Sequence, residues 1–163
     1  MKTQPVFWIF EKDGLVCFKV TGKGSFQNAP LLKKATQQAL DEGRKHFAFD
    51  LSECTGMDST FLGILSGLAL KIKNLHGEMS LAGLDGRNLE LVENMGLNRL
   101  VKLVKGDAFN VAHGSAPIEN ESATKAEINT VMLEAHKTLI SIDERNLAKF
   151  RDVVEYLSES EKS

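Results

Sequence analysis

A chain of 163 residues, 42% hydrophobic and 26% charged with a formal net charge of -2, fits one ordinary soluble domain plus an appendage, with a core that needs no disulfide or metal. The near-neutral balance argues against a duplex nucleic-acid binder, which carries a basic face. The longest apolar stretch, 61–70, is broken by Gly63, Ser66 and Gly67 and falls short of the ~20 residues of a membrane span; the N-terminus lacks a signal-peptide pattern; and two cysteines, Cys17 and Cys54, fit a reducing cytoplasm.

In chain order, Phe7–Phe10 and Leu15–Thr21 are short aromatic and β-branched runs separated by Lys12-Asp13-Gly14, so an antiparallel hairpin opens the fold. A glycine-punctuated loop, 22–28, leads to a helix over 30–42, capped by Asn28 and ended by Gly43. His46–Leu51 reads as a buried strand, and Leu62, Leu65, Leu68, Ala69, Ile72 and Leu75 give a helix from Ser59 to Gly77. A strand over 78–84, a helix over 87–95 stopped by Gly96, and a strand over 100–104 follow. Strands alternating with helices predict an α/β fold, a mixed, mostly parallel sheet covered by helices.

Residues 1–118 carry 14 Lys and Arg against 12 Asp and Glu, whereas 119–163 carry 6 against 10. Small, polar and helix-breaking residues mark the change, which predicts a domain over 1–112, a linker over 113–123 and an acidic amphipathic helical tail over 124–163. Thr124-x-x-Glu127 and Ser141-x-x-Glu144 are candidate capping boxes. The apolar stripes Ile128, Val131, Met132, Ala135, Leu139 and then Leu147, Phe150, Val154, Leu157 fit a hairpin or one long helix. Such stripes must be covered, and the expected cover is a second copy of the chain, with the first domain folding without the tail.

The candidate site is Asp50-Leu-Ser-Glu-Cys-Thr-Gly-Met-Asp-Ser-Thr-Phe-Leu-Gly-Ile-Leu65, where a strand ends in an acid and Asp58-Ser59-Thr60 opens an apolar helix. On one reading Asp58 is an N-cap and Ser59 and Thr60 are merely tolerated. On the other, Ser59 is modified, since a helix N-terminus suits a phosphoryl group whose added charge repels a docking partner. Phe61 is either an exposed aromatic anchor or part of the core. Other patterns are weaker. The 22–25 loop satisfies no phosphate-loop or dinucleotide spacing, and Ser66 fails the nucleophile-elbow spacing. His46, His76, His113 and His136 lie on separate elements without metal-ligand spacing. Cys54 has no local cation to activate it and reads as structural.

Over about residues 6–110 this arrangement resembles the STAS family, named for sulphate transporters and anti-sigma factor antagonists. The resemblance rests on the strand-helix order and the block DLSECTGMDSTFLGIL. It implies a non-enzymatic, cytoplasmic bacterial partner switch without a cofactor. Ser59 would be the phosphorylated residue, with Asp50 and Asp58 as flanking acids. Ser25, Met57, Asp58, Ser59, Thr60 and Phe61 would form the partner-binding surface. The implied partners are an anti-sigma factor that is also a serine kinase, and a phosphatase. The alternative is an unphosphorylated STAS scaffold or accessory subunit of a transport or signalling assembly.

Overall fold

A computed structural model describes residues 6–105, 116–118 and 122–162. Strands β1 (Phe7–Lys12) and β2 (Leu15–Val20) form the expected hairpin. In its turn Asp13 and Gly14 take φ of 52° and 82°, the left-handed pair that joins right-twisted strands. Then come β3 (Gly22–Gly24), α1 (Ala29–Asp41), β4 (His46–Asp50), β5 (Cys54–Met57), α2 (Ser59–Asn74), β6 (Glu78–Ala82) and α3 (Gly86–Asn94). A 3-10 turn at Leu97–Arg99 precedes β7 (Lys102–Val104), β8 (Ala116–Ile118), α4 (Lys125–Ile142) and α5 (Arg145–Glu161).

Six strands form one mixed sheet in the order β7-β6-β4-β2-β1-β8. The steps β2-β4, β4-β6 and β6-β7 are parallel, whereas β1 is antiparallel to both neighbours. β3 and β5 make a separate parallel pair. Alternation along the strands puts Phe7, Phe18, Phe47, Phe49 and Leu81 into one apolar core with Leu32 of α1 and Leu62, Leu65 and Ile72 of α2. Each such side chain stabilises the fold by about 1.5–3 kcal/mol through burial. Phe18 stacks on Phe49 with ring centroids 5.2 Å apart.

The C-terminal region differs most from the sequence reading. Ala116–Ile118, inside the stretch 113–123 read as a linker, is a sheet strand paired with β1; residues 113–115 and 119–121 lie outside the described residues. Pro117 sits at the sheet edge opposite Trp8, where its missing N–H breaks no interior ladder. The tail is a helical hairpin rather than one long helix, and α4 lies directly on α2. Part of the first stripe is covered within the chain: Val131 and Ala135 join the main core and Leu139 is buried with them, whereas Leu147 of the second stripe is exposed.

Small residues permit this contact. A Cβ added to Gly63 would lie 2.4 Å from the carbonyl oxygen of Ala135, so the two helix backbones meet there; four residues on, Gly67 faces Thr138. The Thr124 hydroxyl caps α4 by accepting from the Glu127 N–H at 3.1 Å. The second proposed box is absent: the Asp143 carboxylate, not Ser141, accepts from the Arg145 N–H.

The tip of the hairpin is fastened to the end of α3. Asn146, fully buried, donates from Nδ2 to the carbonyls of Leu139 and Met95, and Lys149 donates to the Asn94 carbonyl. Asp143 accepts from Arg145 and from Arg99 at 2.7 Å. Hydrogen bonds from the Arg145 side chain and backbone, its charge and that of Arg99 hold the Asp143 carboxyl well below the usual carboxylate range.

Candidate functional site around Ser59

β4 delivers Asp50 to the C-terminal end of the sheet, where its buried carboxylate accepts from the N–H and hydroxyl of Ser52. The chain turns through β5, whose pairing with β3 brings the 25–28 loop beside the start of α2. Asp58 joins the two. Its N–H donates to the Gly24 carbonyl at 3.0 Å. One carboxylate oxygen caps α2 by accepting from the Phe61 N–H at 2.9 Å, and the other accepts from the Phe26 N–H at 2.8 Å. The capping reading of Asp58 therefore holds, and the same side chain also fixes the neighbouring loop. Asn28, expected to cap α1, instead braces that loop by accepting from the Ser25 N–H and donating to the Lys23 carbonyl.

Ser59, the first residue of α2, is half-buried. Its hydroxyl lies 2.8 Å from Nε2 of His136 on α4. Nδ1 of the same ring is 2.6 Å from the Met132 carbonyl oxygen, which can only accept, so Nδ1 carries the proton. In the neutral ring Nε2 is therefore the acceptor and the Ser59 hydroxyl donates to it. His136 is 3% exposed, and its ring meets Phe150 of α5 edge-on with centroids 5.0 Å apart. The tail thus holds the hydroxyl that the sequence singles out.

The six residues expected at a partner surface separate by depth. Ser25, Asp58 and Ser59 reach the surface region, while Met57, Thr60 and Phe61 are buried. Phe61 corrects the anchor expectation: it is 0% exposed and its ring stacks against Phe7 at 6.1 Å. A Cβ on Gly24 would lie 2.7 Å from that ring, so the glycine is what lets β3 cross it. The aromatic that reaches solvent beside Asp58 is Phe26, 39% exposed, on the glycine-punctuated loop 22–28, a residue that the sequence pattern does not single out.

His136 was the other residue missed. Its signal was present, a histidine four residues after Met132 on an apolar helical face, but the identity of its partner depended on tertiary packing. Cys54 is buried, which pushes its thiol up, in keeping with a structural role. Among the described residues no group of three or more metal-ligating side chains occurs, and no helix is long and apolar enough to cross a membrane.

Residues 9–108 match the family model described as STAS domain. Among solved structures, an anti-sigma factor antagonist named as putative from Thermotoga maritima is similar at 22% identity with a TM-score of 0.57, over 60% of this chain and 84% of that one. The Bacillus cell fate determinant SpoIIAA in its phosphorylated form is similar at 14% identity with a TM-score of 0.54, over 61% and 90%. An anti-sigma factor antagonist from Mycobacterium paratuberculosis is similar at 20% identity with a TM-score of 0.55, over 61% and 85%.

Proposed function

Because this chain belongs to the STAS domain family, we propose that it is a partner-switching protein of the anti-sigma factor antagonist type, with Ser59 as its phospho-acceptor. The observation that carries the reading is the position of Ser59. It opens α2 directly after Asp58, which ties the 25–28 loop to the same helix N-terminus. A phosphoryl group there meets the positive end of the helix dipole. It also adds about -1.5 to -2 charge to a surface that already carries Asp58.

In the unmodified form, the loop bearing Ser25 and Phe26 together with Asp58 and Ser59 forms the docking surface for an anti-sigma factor that is also a serine kinase. That kinase supplies ATP and magnesium, so this chain is substrate and ligand and does no catalysis. A phosphatase restores the docking form. The likeness to SpoIIAA, solved in its phosphorylated form, supports the assignment at the level of fold.

The test is incubation of the purified chain with the serine kinases of its host and ATP-magnesium, followed by intact mass and site mapping. A single phosphate on Ser59, absent from Ser59→Ala, is expected. Phosphate confined to Thr60, or none, would remove this reading. A second reading, an unphosphorylated STAS scaffold, is favoured by one observation: the Ser59 hydroxyl is already bonded to a buried histidine.

A further inference from the structure

We propose that the α4–α5 hairpin is a lid carried by the chain itself, and that closure of this lid and phosphorylation of Ser59 exclude one another. The inference rests on the reading of Ser59 as phospho-acceptor and adds a control that acts before any partner arrives.

Three independent features make the lid. The first is the bond between Ser59 and His136, whose ring is fixed by the Met132 carbonyl on one side and Phe150 on another. The second is the close approach of α4 to α2 at Gly63 and Ala135, which leaves no gap between the helices at that point. The third is the tip, where Asn146, Lys149 and Asp143 fasten the hairpin to Met95, Asn94 and Arg99, far along the chain from Ser59.

Phosphorylation acts on the first feature. The O–H bond of Ser59 is replaced by an O–P bond, the γ-phosphoryl group leaves ATP as ADP departs, and the hydroxyl proton is released. The ester oxygen then has no hydrogen to give Nε2 of His136. The three new phosphate oxygens crowd a site where the Ser59 oxygen lies 2.8 Å from the buried imidazole and beside the Asp58 carboxylate. Lifting α4 relieves the conflict and bares the side chains of Val131, Ala135 and Leu139 together with the covered side of α2. Linkage makes the effect reciprocal at equilibrium; with a kinase that acts on the open form alone, the rate of phosphorylation scales with the population of that form.

The deciding experiment needs no kinase. Full-length protein is made with phosphoserine installed at position 59 during synthesis, and amide hydrogen exchange is compared with the unmodified chain. Exchange across 131–142 is expected to quicken about tenfold or more while β4 stays protected. Equal protection of α4 in the two proteins overturns the lid, and so does greater protection, which would mean that the imidazole grips the phosphate.

A second arm uses the tip. Asn146→Ala, or the milder Lys149→Ala at an exposed position should the first fail to fold, is expected to raise the rate of Ser59 phosphorylation about tenfold by populating the open form. An unchanged rate overturns the proposal. A kinase that modifies neither wild type nor variant overturns the phospho-acceptor reading instead, and the exchange comparison still decides the lid.

Discussion

The ring of Phe61 lies on Phe7 and beneath Gly24, so Phe61→Ala empties a fully enclosed space. A loss of about 3–5 kcal/mol of stability is expected, measured by chemical denaturation. Phe26 stands in the opposite position, exposed on the loop that Asp58 holds. Phe26→Ala should leave the melting temperature unchanged and weaken binding to the proposed partner kinase by about 2 kcal/mol, the scale of an interface anchor; calorimetry with that kinase checks it, and equal affinities would place the binding surface elsewhere. Ser59 combines both settings. Its hydroxyl is a neutral donor to a buried ring, yet its backbone begins a helix that attracts anions.

Two glycines on one face of α2 give opposite expectations. At Gly63 an added methyl group meets the backbone of Ala135, which cannot step aside, so Gly63→Ala should destabilise by about 1–3 kcal/mol despite the better helix propensity of alanine. At Gly67 the same methyl group lies 3.8 Å from the nearest atom of Thr138. There the propensity gain is unopposed, and Gly67→Ala should stabilise by roughly 0.5–1 kcal/mol. Thermal melts of the two variants, moving in opposite directions, would establish the helix contact.

The elements legible in the sequence were those with long periods or strong turn signals: the Asp13-Gly14 hairpin, the apolar stripe of α2 and the capped start of α4. β3, β5 and β8 were not legible, because three or four residues containing glycine or proline carry no period. The candidate site divides in the same way. Asp58 and Ser59 stand in a local pattern, whereas the link from Ser59 to His136 is a product of packing between elements that no local pattern records.

At the scale of the molecule, the carboxylate of Asp143 couples the hairpin to pH. Its affinity for protons is lowered on folding by Arg145 and Arg99. The stability it contributes is therefore fully present above the ordinary carboxylate value of about 3.9 and drains away as pH falls below it toward the lowered one. Asp143→Asn should flatten that part of the acid-unfolding curve while leaving the slope near neutrality unaltered. The hairpin also completes the core: a chain ending at residue 121 loses Val131 and Ala135 from it and should melt at a lower temperature and bind an apolar dye. An unchanged melting temperature would show that the hairpin is an independent unit.

The bond between Ser59 and His136 spans 77 positions, and that separation is also an interval of time. A ribosome adding ~5–20 residues per second needs roughly 4–15 s to pass from one to the other. Throughout that interval the serine has been made and the histidine that will hold it has not. Every newly synthesised copy therefore begins with the Ser59 hydroxyl free of His136, and the age of the molecule joins its surroundings in setting whether that hydroxyl can be reached.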